Sequence, residues 1–170
     1  MDLAAELGRR QSLIIRKRIV NYVGNNKIRF GELVKIFFNG EYRLTQHAAW
    51  PISYCIQNHP TLLNPFIKKF IEKLSDGQSH PAVKRNIVRL LQFVEIPKRH
   101  HGEIMDLCFR FINSPGEAIA VKAFSLHILQ KFCILYPEIL PELKAIVEVR
   151  WANETAAFRS RGRKILHIAR

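Results

Sequence analysis

The feature that most constrains this chain is an apolar stripe that returns about every 38 residues. Val83, Ile87, Leu90, Leu91 and Val94 stand at offsets 0, 4, 7, 8 and 11, the spacing of one face of an α-helix. Shifted by 38, the same offsets fall on Val121, Ser125, Ile128, Leu129 and Phe132; a further 37 gives Phe158, Gly162, Ile165, Leu166 and Ala169. A shift of 38 toward the N-terminus gives a weaker copy with smaller side chains, Thr45, Ala49, Ile52, Ser53 and Ile56. Self-similarity at a near-constant period of this length marks a repeat array.

Second apolar sets lie between the stripes: Leu63, Phe66, Ile67, Phe70, Ile71 and Leu74; Ile104, Leu107, Cys108, Phe111 and Ile112; then Leu143, Ile146 and Val147. The turn-rich stretches NHPT (58–61), SDGQSHP (75–81), NSPGE (113–117) and LYPEILPE (135–142) separate them. They put Pro, Gly, Asn and Ser where helices must stop or start. Pro81, Pro115 and Pro137 suit first-turn or just-outside positions, where a missing N–H costs little. Glu117, Glu138 and Glu154 fall near helix starts, as the macrodipole favours. No segment alternates with period 2, so the expected fold is all-α. A helix pair of this size cannot bury both faces alone and must stack on its neighbours, which makes the expected architecture a short α-solenoid of antiparallel helix pairs. The pairs are expected at about 11–39, 41–76, 79–114 and 116–151, with a closing helix at about 154–169, all in a single domain over 1–170. The first pair fits the stripe template poorly, with Ile15, Ile19, Tyr22 and Val23 before Phe30, Leu33, Val34 and Phe37; terminal repeats are usually atypical.

A chain of 170 residues with 48% hydrophobic and 24% charged residues reads as globular. No apolar run reaches the roughly 20 residues of a membrane helix, and MDLAAELGRR lacks the apolar segment of a secretory signal. The three cysteines, Cys55, Cys108 and Cys133, are far apart and sit within apolar patterns, as small buried hydrophobes of a reducing compartment do. A cytoplasmic location and no membrane partner are the expectation. The net charge is +13, and its excess concentrates at the ends: eight basic against three acidic side chains in residues 1–40, nine against five in 116–170. Such a field attracts polyanions and acidic partners.

The run PAVKRNIVRLL (81–91) resembles the first helix of a HEAT-type repeat, and AIAVKAFSLHIL and AAFRSRGRKIL are looser copies. The similarity covers residues 41–170 well and the first 40 poorly. QHAAWPISYCI, VKAFSLHIL and PELKAIVEVRWANETAAFRSRGRKIL are similar to a family of small bacterial helical-repeat proteins of unestablished role. Some members carry the label adenylosuccinate lyase. That enzyme family has far longer chains and a mobile serine-rich loop, which does not occur here, so no lyase activity is expected. Solenoids present extended binding faces and the sequence offers no catalytic constellation, so a non-enzymatic interaction module or scaffold is expected.

The candidate partner- or anion-binding residues are cationic. Lys84, Lys122 and Arg159 share one repeat position, immediately after the first stripe residue; Arg89, His127 and Lys164 share another, five residues later. In a solenoid each set would line up as a column of charge, although side chains at a stripe edge also snorkel beside the core. Arg159, Arg161, Arg163, Lys164 and Arg170 follow the last acidic residue, Glu154, and form a basic terminal patch. Arg9, Arg10, Arg16, Lys17 and Arg18 form another. The expected partner is an acidic protein, with nucleic acid as the second class. No metal or cofactor is expected: His100 and His101 point about 100° apart on a helix, no Cys-x-x-Cys occurs, and the glycines are scattered. No catalytic residue is expected either. Asp106 with Trp50 and Trp151 parallels the aspartate and tryptophans of HEAT-like alkylpurine DNA glycosylases. Met105 and Leu107 flank Asp106 without an aromatic cluster, so a solvated or salt-bridged helix residue is expected there. The tryptophans are expected to seal contacts between repeats.

Overall fold

A computed structural model describes residues 1–76 and 80–169. Arg170 and the centre of the 75–81 turn lie outside the described residues. No strand occurs among the described residues, and the fold is all-α, as the helical-repeat expectation requires. Two compact units are formed, Met1–Glu95 and Ile96–Arg170.

The N-terminal unit contains α1 (Leu3–Gly8), α2 (Leu13–Val23), α3 (Lys27–Asn39), α4 (Tyr42–Asn58), α5 (Ile67–Ser75) and α6 (Pro81–Leu91). Its centre is α4, which packs on α1, α2, α3 and α6. The weak, small-residue stripe is the reason: Thr45, Ala49, Ile52, Ser53 and Ile56 are all buried, and short side chains let several helices approach one axis. Phe30 and Phe37 of α3 and Phe70 of α5 are fully buried, with the Phe37 and Phe70 rings stacked at 5.9 Å. Pro81 opens α6, where its missing N–H is an orphan anyway, and His80 Nδ1 accepts from the Ala82 N–H at 3.1 Å.

Two features of this unit differ from the periodicity. The first helix, α1, precedes the expected start near residue 11. Asp2 caps it by accepting from the Ala5 N–H at 3.0 Å, Leu3 and Leu7 are buried, and the Leu7 carbonyl meets His47 Nδ1 on α4 at 2.7 Å. A six-residue helix is too short to show a period, and only its docking stabilises it. The second feature is Pro51, buried inside α4. Such a proline costs about 3 kcal/mol in an isolated helix, and here the surrounding helices hold α4 continuous through it.

The C-terminal unit contains α7 (His101–Asn113), α8 (Ile119–Leu135), α9 (Leu140–Arg150) and α10 (Ala156–Leu166). Here α8 packs on both α7 and α10, and α10 on α9. The α8 stripe Val121, Ser125, Ile128, Leu129 and Phe132 is buried throughout. In α10, Phe158, Gly162 and Ile165 are buried, whereas Leu166 is only half-buried and Ala169 is exposed. Gly162 permits the close approach of α9: a Cβ there would lie 2.7 Å from Val147 Cγ1 and 3.2 Å from the Trp151 ring. Trp151 thus seals a contact between neighbouring helices. His101 ties the entry of α7 to the end of α8, through Tyr136 Oη at 2.8 Å and the Ile96 carbonyl at 2.6 Å.

Candidate functional site

The cations at the first repeat position do not share one fate. Lys122 is buried on α8, and its Nζ lies 2.7 Å from Glu154 Oε1. Arg150 grips the same carboxylate oxygen through Nη2 at 2.6 Å and Nε at 3.0 Å. The remaining donors are satisfied by backbone: Arg150 Nη1 by the Asn113 carbonyl at 2.9 Å, Lys122 Nζ by the Pro115 carbonyl at 3.3 Å. Burial pushes the Glu154 carboxyl up; the hydrogen bonds from Lys122 and then Arg150 outweigh it and hold the group below the ordinary carboxylate range. Lys122 therefore puts no charge on the surface. It locks α8 to the segment that joins α9 to α10. Lys84 is half-buried on α6, and Arg159 is half-buried on α10.

The second position behaves differently. His127 on α8 and Lys164 on α10 come together beside Arg161, whose Nη1 lies 3.4 Å from His127 Nδ1. An arginine nitrogen only donates, so that contact needs His127 Nδ1 unprotonated. Burial lowers the His127 pKa first, and Arg161, Lys131 and Lys164 lower it further. No carboxylate lies within 4.0 Å of Arg159, Arg161, Arg163 or Lys164 among the described residues. Arg163 lies 6.0 Å from the Trp151 ring centroid, at the outer limit of a cation–π contact. Arg159, Arg161, Arg163 and Lys164 thus concentrate positive charge on α10 beside α8, with no acid paired to them among the described residues.

Arg89 belongs to the N-terminal unit. Its Nη2 donates to the Ala49 carbonyl on α4 at 3.5 Å, and its buried Nε finds no acceptor among the described residues. Burial, then neighbouring Arg85, pulls the guanidinium below its ordinary value, and Tyr54 opposes this. Tyr54 also stacks on Trp50 at 3.8 Å, and Arg16 from α2 lies over the other aromatic, 5.4 Å from the Trp50 centroid. This constellation was missed by sequence reasoning. The available signal was the four-residue spacing of Trp50 and Tyr54, which stacks rings on consecutive turns of a helix. Of the other N-terminal cations, Arg9 and Arg18 are compensated by Glu6 at 3.2 and 3.5 Å. Arg10, Lys17 and Arg18 are exposed.

Asp106 pairs with Arg110 at 3.2 Å and is exposed. The three cysteines are free and buried; burial pushes the Cys55 and Cys108 thiols up to about 12 and raises Cys133 as well, which makes them poor nucleophiles. No group of three or more His, Cys, Asp or Glu among the described residues could hold a metal ion. No helix among them is long and apolar enough to cross a membrane. A cavity of about 630 Å³ is lined by Cys133, Leu140, Lys144, Glu148 and Ile168.

A family model described as a HEAT repeat domain matches residues 3–168. No curated protein and no solved structure matched the chain.

Proposed function

The chain belongs to the HEAT repeat domain family, and from that premise we propose that it is a non-enzymatic interaction module whose basic surface receives an acidic protein partner. Helical repeats present extended faces for binding, which is what such arrays do best. One observation carries the reading: Arg161 stands 3.4 Å from His127 with Lys164 beside it, and no carboxylate among the described residues pairs with either cation. Like charges gathered this way repel one another, and an anionic side chain from a partner relieves that repulsion. Arg159 and Arg163 extend the surface, and Lys84 and Arg89 add cations in the N-terminal unit. Lys122 does not belong to it, because Glu154 occupies its ammonium. The matched family model spans both units, which supports reading 1–170 as a single repeat domain.

The test is binding of a fluorescein-labelled poly-glutamate peptide to the purified chain, followed by anisotropy. Parent protein is expected to bind, and Arg161→Gln with Lys164→Gln to lose most of that affinity while keeping full helicity. Unchanged binding by the double variant would place the acidic partner elsewhere.

Nucleic acid is the second reading. The observation that favours it is the Trp50–Tyr54 stack flanked by Arg16, since flat π faces recognise bases and carboxylates do not need them.

A further inference from the structure

Three helices of the N-terminal unit contribute to one continuous row of side chains. Arg16 comes from α2 and lies over Trp50 of α4. Trp50 stacks on Tyr54, one helical turn further along. Arg89 reaches the same stretch of α4 from α6, at the Ala49 carbonyl, close enough for Tyr54 and Arg85 to act on its charge. Both α2 and α6 pack on α4, so core packing holds the row in place. Its tip is open: Tyr54 keeps 41% of its surface accessible, and Arg85 is exposed.

Arg16 at one end of the aromatic pair and Arg85 and Arg89 at the other have no carboxylate within 4.0 Å among the described residues, and the aromatic pair stays partly in water instead of joining the core. As a helix-stabilising pair, residues one turn apart are worth only about 0.2–0.5 kcal/mol.

The ligand that matches must offer a flat π face next to closely spaced negative charge. An acidic peptide supplies the charge without the face. Duplex DNA or RNA supplies phosphates, but its base faces are stacked on one another and closed to a side chain. An unpaired stretch of nucleic acid supplies both, and aromatic platforms in a cationic groove are how such strands are held.

We infer that the row Arg16, Trp50, Tyr54, Arg85 and Arg89 binds single-stranded nucleic acid, with an unpaired base stacked on the Tyr54 ring and the adjoining phosphates held by the arginines. This rests on the nucleic-acid reading of the function and names the form of the strand and the residues that meet it. It shares only Arg89 with the acidic-protein reading, whose carrying observation, the contact of Arg161 with His127, lies on α8 and α10.

The experiment is fluorescence anisotropy with the full chain, using labelled oligo(dT) and, separately, the same strand annealed to oligo(dA). Parent protein is expected to bind the single strand more tightly than the duplex. Tyr54→Ala should weaken oligo(dT) binding by about 5- to 150-fold, the effect of removing one stacked base, with little effect on the duplex. Tyr54→Phe keeps the ring and should restore parental affinity, a recovery that charge alone does not explain. Arg16→Gln with Arg85→Gln should flatten the salt dependence of oligo(dT) binding by about one to two in log–log slope. Tyr54 is exposed enough that its variants should melt like the parent, which is checked by circular dichroism. Equal binding of strand and duplex, untouched by Tyr54→Ala, overturns this inference and leaves the nucleic-acid reading standing. No binding of either at low salt overturns both. Poly-glutamate binding that Tyr54→Ala weakens as strongly would assign the row to acidic proteins and overturn the inference as well.

Discussion

Lys122 Nζ lies 2.7 Å from Glu154 Oε1, a contact made across 32 residues of sequence, and the two side chains are 6% and 4% exposed. Removing one partner of a buried pair strands the other charge, which costs about 3–5 kcal/mol. Glu154→Gln should therefore lower the unfolding free energy by about that amount, because Lys122 and Arg150 both lose their counter-charge. Lys122→Met should cost less, since Arg150 continues to neutralise Glu154 and the methionine stem fills the same space. Urea denaturation of the two variants beside the parent measures the difference, and equal midpoints would remove the pair from the structure's stabilising contacts.

The same carboxyl links stability to acid. Glu154 is held below its ordinary value in the folded chain, so the unfolded chain binds the proton more readily. The stabilisation is full above the unfolded carboxylate value of about 4.3. It is lost progressively as pH falls from there through the lower folded value. Thermal melts across the acid range should show this loss in the parent, and Glu154→Gln should flatten that limb of the profile.

Leu90 and Leu129 both belong to the repeated stripe, at offsets 7 and 8 of their copies, and are fully buried. Either change to alanine should destabilise by about 2–5 kcal/mol, the transfer loss plus the cavity left behind. Parental melting by both variants would mean that the stripe is not a core face.

Gly162 sets two effects against each other. Alanine gains about 1 kcal/mol of helix propensity, but its Cβ would stand 2.7 Å from Val147 Cγ1 and 3.2 Å from the Trp151 ring. Overpacking of this kind costs about 1–3 kcal/mol, so Gly162→Ala should be destabilising on balance. A glycine on an exposed helix face would respond with the opposite sign. A denaturant midpoint settles which term wins.

If the α8–α10 surface binds polyanions, affinity should fall steeply with salt, because each neutralised charge releases a counterion. Changing Arg159, Arg161, Arg163 and Lys164 to glutamine should flatten the log–log slope for a duplex probe by about three to four. An anion there should also pull His127 back up toward its ordinary value of about 6.5. Its pKa is lowered in the free protein by burial and by Arg161, Lys131 and Lys164, so binding takes up a proton and tightens as pH falls toward and below that value. Titrations at two salt concentrations and two pH values check both expectations; a flat salt response by the parent would leave the charge with no role in binding.

The fold class was legible because it depends on periodicity, a local property that survives without coordinates. The stripe from Val83 to Val94, its copies, and the prolines between them are enough to require stacked helices, and Ile87, Leu90, Val121, Leu129 and Phe158 are buried as that stripe demands. Less regular elements were illegible for a definite reason. The six residues of α1 cannot show a helical period, and Pro51 argues locally against a helix that four packed neighbours hold together.

The candidate sites divide the same way. The sequence by itself determined how many cations there are, where along the chain they fall, and that none after Glu154 has an acidic neighbour in the remaining chain. Only the tertiary structure decided which of them stay available. Lys122 and Arg159 share a repeat position, yet Lys122 is consumed by a glutamate that local spacing assigns merely to a helix start. Trp50 and Tyr54 share a helix face, yet Arg16 and Arg89 arrive on it from helices more than thirty residues away in either direction. Repeat spacing reports which face a residue occupies; the energy of a charge depends on what stands within a few ångströms of it, and that is set by contacts distant in sequence.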